Sequence, residues 1–169
     1  AIYDYEGMRT KYVPFLEREA NEVFVKGFSA ITLFTKRLLP VSSVVVYDED
    51  GNTYYRTAEQ RFQYYNDFKE YLLSVFTNEL VEQVLSMDEN GSIRYLDING
   101  YTALIYGEKL EGPIDTVEYT LVSKTEDKVV FEVLAQQLDS KEEKSGNEYS
   151  FTVEMIKDDE WRISNFYVR

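Results

Sequence analysis

The last third of the chain carries the clearest alternation of apolar and polar residues. Every second residue between 149 and 155 (YSFTVEM) is apolar, and residues 161–168 (WRISNFYV) are again rich in strand formers. A period of two places successive side chains on opposite faces of a β-strand. The polar connection at residues 157–160 (KDDE) has the length of a hairpin loop. We therefore predict a β-hairpin whose apolar row faces a core.

Two more strands are predicted just upstream. Residues 116–121 (TVEYTL) alternate between polar and apolar side chains, whereas residues 129–135 (VVFEVLA) are apolar at almost every position. A continuous apolar run is typical of a central strand that is partly covered on both faces. Residues 115–168 therefore predict four consecutive antiparallel strands, on which the other elements pack.

The first half of the chain contains patterns typical of helices. Apolar residues recur at steps of three and four within residues 14–38, which predicts one long amphipathic helix. Pro14 suits the first turn of this helix, and Pro40 ends it. Gly27 interrupts the apolar stripe at a cost of about 1 kcal/mol relative to alanine, so it marks either a close packing point or a break. Two shorter helices are predicted to follow, capped by Asn66 and Thr77.

Two short hairpins complete the pattern. The first is centred on the acidic turn at residues 48–52 (DEDGN), and the second on Asn99 and Gly100, a pair with a strong preference for tight hairpin turns. A calcium loop is an alternative for the acidic turn. However, an EF-hand loop has its glycine at the sixth position, and Gly51 stands at the fourth. We therefore interpret residues 48–52 as an ordinary hairpin turn.

Length and composition fit one domain that covers residues 1–169. With 44% hydrophobic and 29% charged residues, the chain has enough apolar side chains for a core. The order of elements predicts an α+β fold in which a long N-terminal helix and short helices pack on a curved antiparallel sheet. No apolar segment approaches the roughly 20 residues that span a bilayer.

Charge and missing residue types exclude several classes of function. The net charge of -13 argues against nucleic acid or an anionic membrane as a partner and permits a basic protein partner. The chain has no Cys and no His, which removes disulfides, thiolate metal sites and the Ser-His-Asp and Cys-His mechanisms. We predict no catalytic residue, no metal and no cofactor. An enzyme built on Asp, Glu and Tyr alone is the alternative.

Aromatic residues are unusually frequent, with 15 Tyr and 10 Phe. Exposed tyrosines supply large contact areas with a polar tip, which suits a binding face. Core filling and strand propensity explain the same residues without a function. Both interpretations stay open for the densest cluster, which comprises Tyr54, Tyr55, Phe62, Tyr64 and Tyr65.

Three segments resemble a known family. Residues 67–85 (DFKEYLLSVFTNELVEQVL), 93–106 (IRYLDINGYTALIY) and 159–168 (DEWRISNFYV) follow the order found in the secreted IseA-type DL-endopeptidase inhibitors of Gram-positive bacteria. In that family a helix ending in a Phe-Thr element precedes a short strand pair around an Asn-Gly or Asp-Gly turn. A strand with the pattern Trp-Arg/Lys-Ile-Ser closes the fold.

The resemblance implies a helix wrapped by a curved antiparallel sheet, as in cystatin-like and nuclear-transport-factor-like cones. It also implies export from the cell and inhibition of cell-wall cysteine peptidases by steric block. The loops at residues 107–113 and 139–147 would contact the peptidase, with acidic side chains complementing a basic enzyme surface. The candidate partner-binding residues are Glu108, Lys109, Glu111, Lys141, Glu142, Glu143 and Lys144.

A second hypothesis uses the same fold for an extracellular binding module of a lipoprotein. A small ligand would then occupy a pocket between helix and sheet, lined by Tyr106, Tyr119 and Trp161. A filled core would instead favour interaction through the surface. The chain begins at Ala1 rather than at Met, so we expect that a signal peptide, lipid anchor or expression tag has been removed. The oligomeric state does not follow from the sequence.

Overall fold

The computed structural model describes residues 2–3, 9–10, 12–89, 92–105, 114–138 and 144–168. Helices and mostly antiparallel strands are both present, which confirms the α+β class. The helices are α1 (Arg18–Leu33), α2 (Tyr65–Val75) and α3 (Asn78–Leu85), with a 3-10 turn at Gln60–Phe62. The strands are β1 (Ile2–Tyr3), β2 (Arg9–Thr10), β3 (Val41–Tyr47), β4 (Thr53–Thr57), β5 (Asp88–Glu89), β6 (Ser92–Ile93), β7 (Tyr95–Ile98), β8 (Tyr101–Leu104), β9 (Ile114–Lys124), β10 (Lys128–Leu138), β11 (Lys144–Asp158) and β12 (Glu160–Val168). Within the described ranges, no helix has both the length and the apolar content to cross a membrane.

The larger sheet contains the C-terminal strands. Its order is β1-β2-β9-β10-β11-β12, and β9 to β12 are antiparallel neighbours, which confirms the predicted run of four strands. Alternate residues of β10 and β11 point into the core, as their period of two requires. Phe131 pairs with Val153 and Val133 pairs with Phe151, and all four side chains are fully buried.

Strand β9 departs from its predicted alternation. The pattern placed Thr116 on the polar face and Leu121 on the apolar face, but Thr116 is buried and Leu121 is 43% exposed. The register with β10 shifts between Leu134 and Ala135, so that Thr116 pairs with Ala135 on the buried face. A β-bulge of this kind inserts one residue, which reverses the alternation at Thr116. Leu121 lies next to a second register shift, between Val130 and Phe131.

Helix α1 packs its apolar stripe on the larger sheet. The ring of Phe24 meets the rings of Phe131 and Tyr119 edge-on, with centroids 5.2 and 5.7 Å apart. Phe28 meets Phe151 in the same way at 5.5 Å. Such aromatic contacts stabilise the packing beyond the area that they bury. The core therefore lies between α1 and the inner face of β9 to β12, and it extends to α2, α3 and the smaller sheet.

Both ends of α1 differ from the predicted helix at residues 14–38, which was too long. Pro14 lies in a turn before the helix and not in its first turn. The buried side chain of Asn21 accepts a hydrogen bond from the Val13 N–H at 2.6 Å and donates to the carbonyls of Val13 and Leu16 at 3.0 and 2.9 Å. These bonds hold the preceding turn against the helix, so the chain cannot continue as a helix there.

Gly27 is a close packing point and not a break in the helix, which confirms the first of its two predicted roles. A Cβ atom at this position would lie 2.6 Å from Ile163 Cδ1 and 3.1 Å from Val75 Cβ. Contacts shorter than van der Waals distance are repulsive in a densely packed interior. Glycine therefore allows α1 to approach both β12 and α2.

Helices α2 and α3 are separated by a short extended link at Phe76 and Thr77. The Thr77 hydroxyl accepts a hydrogen bond from the Leu80 N–H at 3.3 Å, which confirms the predicted cap. The predicted cap at Asn66 is wrong, because α2 already begins at Tyr65. The link itself runs beside β12, where the Thr77 N–H donates to the Ile163 carbonyl at 3.0 Å.

The smaller sheet has the order β3-β4-β8-β7. Asn99 and Gly100 form the tight turn between β7 and β8 with φ angles of 55° and 86°, which confirms the predicted hairpin. The Tyr95 hydroxyl donates to the Leu33 carbonyl at 2.9 Å and accepts from the Leu39 N–H at 3.2 Å. Strand β7 is thereby fastened to the end of α1.

Candidate protein-binding surface

The predicted partner-binding loops lie largely outside the described residues. This applies to Glu108, Lys109, Glu111, Lys141, Glu142 and Glu143, and also to the pocket candidate Tyr106. Lys144 is the first residue of β11. The role predicted for these residues therefore stays a prediction.

The other two pocket candidates are described. Tyr119 is half-buried beside Phe24, and its hydroxyl donates to Thr116 Oγ1 at 3.0 Å. Trp161 is 5% exposed, and its Nε1 donates to the Glu17 carboxylate. Their strands, β9 and β12, are three positions apart, which is about 14 Å across a sheet. Neither side chain lines any of three clefts of about 560, 600 and 580 Å³ that the described residues form.

Strand β3 exposes more apolar surface than its sequence suggests. Val41, Val44, Val45 and Tyr47 are 38, 44, 43 and 62% exposed. In the described part of the chain β3 pairs with β4 and forms one edge of the smaller sheet. A sheet edge presents unpaired backbone N–H and C=O groups to its surroundings. As far as the structure describes the chain, the strand therefore combines exposed apolar side chains with an edge that no other strand pairs with.

The regular part of β3 is its second half. The register with β4 shifts between Val41 and Val45, and the Val44 N–H donates to Ser42 Oγ at 3.2 Å. A bulge of this kind interrupts the ladder and limits edge pairing. Residues 45–47 pair regularly with β4 and so form the flat part of the edge.

An acidic turn follows directly after this flat part. Asp48 Oδ1 accepts hydrogen bonds from the N–H groups of Asp50 and Asn52 at 2.9 and 2.7 Å, and Oδ2 accepts from Asn52 Nδ2 at 2.8 Å. The bond from the Asn52 side chain, followed by those from the backbone, holds the pKa of Asp48 below its ordinary value. The Asp48 carboxylate therefore holds the turn together from within, as expected if residues 48–52 are an ordinary hairpin turn rather than a calcium loop. Among the described residues no group of three acidic side chains is placed to hold a metal ion.

The acidic turn borders a cleft of about 580 Å³. Its lining combines four carboxylates with two tyrosines and apolar side chains. The lining residues are Tyr47, Asp48, Glu49, Asp50, Asn52, Tyr54, Ser92, Ile93, Leu96, Asp97, Ile98 and Asn99. This end of β3 is therefore negative and suits a partner with basic side chains.

The opposite end of β3 is different. Val44 and Ser42 line a second cleft, of about 560 Å³, whose walls contain no acidic residue. The Arg56 guanidinium lies 3.5 Å above the ring centroid of Tyr101, and that ring stacks on Tyr64 at 5.4 Å. The predicted aromatic cluster thus divides, because Tyr64 is 56% exposed whereas Tyr54 and Phe62 are buried.

The sequence did not predict this surface. The run of three valines at residues 44–46 resembles a buried strand, and its position at a sheet edge depends on pairings with distant residues. Tyr64 could have been found, since it lies in the aromatic cluster beside polar residues.

Comparison with known protein families, with curated proteins and with solved structures finds no match for this chain. The candidate site therefore rests on its own geometry: an exposed apolar strand edge with a negative cleft at one end and an arginine-lined cleft at the other.

Proposed function

We propose that this protein is a non-catalytic binding protein that recognises a protein partner through strand β3. The observation that carries the proposal is the exposure of Val41, Val44, Val45 and Tyr47 on one edge strand. Natural sheets usually cover such an edge or place charged residues on it, because it is a template for pairing with another chain. An edge left apolar and open is the kind of surface used in recognition by strand addition.

Charge defines the chemistry of the partner. The chain carries 31 acidic and 18 basic residues, and Asp48, Glu49 and Asp50 directly follow the exposed strand. A basic protein would be drawn to this field, and it would find apolar contacts on β3 once bound. The partner is therefore a protein with basic residues around an apolar extended segment.

The partner to test first follows from the resemblance in the sequence. A cell-wall DL-endopeptidase binds peptide, and a strand edge seated in its cleft would exclude the substrate sterically. In this form of the proposal the protein acts outside the cell or on its surface as a peptidase inhibitor. The predicted loops at residues 107–113 and 139–147 would add contacts around the edge.

The test is a titration of a purified cell-wall DL-endopeptidase, measured as the rate of stem-peptide cleavage. We expect a stoichiometric fall in rate, and we expect Val45→Lys to weaken inhibition because it places a charge on the edge. Val122→Lys is the matched control, since Val122 is also an exposed valine, at 58%, but lies on β9 of the other sheet.

Three outcomes are informative. Inhibition that Val45→Lys leaves intact would exclude β3 as the contact. Absence of inhibition at large excess would remove the inhibitor form of the proposal. Surface plasmon resonance separates binding from inhibition. It uses the peptidase with its nucleophile replaced by alanine, and it detects a complex whether or not the complex inhibits cleavage. No binding in that assay would remove this partner altogether.

A further inference from the structure

We propose that the cleft beside Arg56 is a binding site for a carboxylate group carried by a small, otherwise uncharged ligand. The cleft lies between the first half of β3 and the 3-10 turn, and its lining comprises Ser42, Val44, Arg56, Thr57, Ala58, Gln60 and Gln63. Its volume of about 560 Å³ lies within the range of small-molecule sites. The site does not depend on whether β3 binds a protein.

Arg56 is the basic group of this cleft, and it forms no ion pair with any residue of the described chain. By contrast, Arg18, Arg61 and Arg162 each form an ion pair with a glutamate. The nearby Glu59 is already engaged, since its carboxylate lies 3.0 Å from Arg61 Nε. Arg56 therefore presents a positive charge that no acid of the described chain neutralises by an ion pair.

The contact with Tyr101 leaves the arginine suited to bind a carboxylate. A guanidinium whose central carbon lies 3.5 Å from a ring centroid is held by cation–π attraction. Its N–H groups lie in its plane and remain able to form the paired hydrogen bonds that a carboxylate accepts. The Tyr101 ring is itself held by stacking on Tyr64, with the ring centroids 5.4 Å apart. The side chain is thus pre-organised before a ligand arrives.

The rest of the lining is fixed and uncharged. The Thr57 hydroxyl donates to the Pro40 carbonyl at 2.8 Å, and Gln63 Nε2 donates to the Thr57 and Glu59 carbonyls at 2.9 and 3.3 Å. These bonds hold the walls of the cleft in place. Val44 and Ala58 offer apolar contacts next to the arginine. The site therefore suits a ligand with one carboxylate and a short apolar arm.

The charge of the whole protein argues for a carboxylate and against a phosphate. One guanidinium balances one negative charge, whereas a phosphate dianion would bring a second charge into the field of a chain with net charge -13. The C-terminus of a peptide and the carboxylate of an acidic sugar share the required chemistry.

The experiment uses three probes: acetyl-Val-Val with a free C-terminal carboxylate, the same dipeptide with a C-terminal amide, and glucuronic acid. Binding is followed by NMR through the Arg56 Nε–H and Val44 N–H signals. We expect the amide to bind at least about tenfold more weakly than the acid, since it lacks the charge-assisted bonds. Arg56→Gln should reduce binding of the acid to a similar extent. Arg56→Lys should recover part of it, because lysine keeps the charge but not the paired geometry.

The control is Arg18→Gln, which removes an exposed arginine of α1 and should leave binding unchanged. Dispersed NMR spectra of each variant show that it is folded. If glucuronic acid binds and the peptide acid does not, the cleft is still a carboxylate site, and its ligand is an acidic sugar rather than a peptide C-terminus. Equal binding of acid and amide, or no shift at Arg56 and Val44 with any probe, would overturn the proposal.

Discussion

Strands β12 and β3 each lie at the edge of a sheet, but their outer edges meet different surroundings. Beside β12 run the end of α2 and the link between α2 and α3. The Thr77 N–H in the link donates to the Ile163 carbonyl at 3.0 Å, and Arg162 Nε donates to the Leu73 carbonyl of α2 at 3.1 Å. Beside β3 the described chain places no strand or helix, and its valines stay exposed. Covering an edge stabilises a fold and prevents pairing with other chains. The contrast is between an edge strand that other elements cover and one that no strand or helix of the described chain covers.

Side chains on these two edge strands differ in the same way. Ile163 on β12 is fully buried against α1, whereas Val44 and Val45 on β3 are 44 and 43% exposed. Residues of similar size and polarity thus contribute burial energy on β12 and stay accessible on β3. Substitutions in the core and on β3 can test this difference.

The largest effect is expected for Phe24→Ala, which removes a ring packed against Phe131 and Tyr119. Loss of a buried phenylalanine typically lowers the free energy of unfolding by about 3–5 kcal/mol. Val44→Ala on β3 should change it by less than about 0.5 kcal/mol. Urea denaturation followed by Trp161 fluorescence measures both. A comparable loss for Val44→Ala would show that β3 belongs to the stabilising core, and the comparison would fail.

An intermediate effect is expected where α1 approaches β12. Gly27→Ala gains helix propensity, but its methyl group would lie 2.6 Å from Ile163 Cδ1. Overpacking typically lowers the free energy of unfolding by about 1–3 kcal/mol, and the higher helix propensity of alanine raises it by about 1 kcal/mol. We therefore expect the free energy of unfolding to fall by up to about 2 kcal/mol.

Ile163→Val supplies the control for this contact, because it removes the Cδ1 atom that a methyl group at residue 27 would meet. The double variant should be more stable than the sum of the single effects predicts, by at least about 0.5 kcal/mol. Strict additivity in urea denaturation would mean that the close approach at Gly27 does not limit the packing of α1.

A smaller effect is expected at Thr77, in the link that runs beside the edge of β12. Thr77→Ala removes the hydroxyl that caps α3 and should lower the free energy of unfolding by about 1 kcal/mol. It should also speed amide hydrogen exchange at residue 77, whose N–H donates to Ile163, because the link becomes looser. Thr53→Ala, at an exposed site of β4, is the matched control. Unchanged exchange in Thr77→Ala would show that the cap does not hold the link in place.

The sequence predicted the fold best where local signals are strong. Asn99 and Gly100 adopt the positive φ angles that their turn requires, and Thr77 caps α3. The start of α2 was missed because a distant contact sets it: the Tyr65 N–H donates to the Gly100 carbonyl at 3.0 Å, so the helix begins without a capping side chain. Local propensity contains no information about such a contact.

The candidate surface was harder to predict for the same reason. A valine run is apolar whether it lies inside a sheet or at its edge, and only the order β3-β4-β8-β7 decides between these positions. Arg56 gave no signal in the sequence, since its contact with Tyr101 joins residues that are distant in the chain. The aromatic cluster gave a partial signal through Tyr64, which is exposed.

The smallest expected effect is a pH dependence of stability, at the contact between Glu17 and the larger sheet. Glu17 accepts a hydrogen bond from Trp161 Nε1 and lies 3.5 Å from Lys157 Nζ. First the Trp161 bond and then the positive charge of Lys157 hold the pKa of Glu17 below its ordinary value of 4.5, against the opposing effect of desolvation.

A carboxyl group whose pKa is lower in the folded than in the unfolded state stabilises the fold above its unfolded pKa. That stability is lost as the pH falls through the folded pKa. The stability difference between wild type and Glu17→Gln should therefore be largest at pH 6 and shrink below about pH 4.5. Urea denaturation at pH 6 and pH 3 measures it, with Glu22→Gln, which removes an exposed pair with Arg18, as the control. A difference that stays constant with pH would mean that the Trp161 bond does not depend on the charge of Glu17, and that its geometry alone joins β12 to the start of α1.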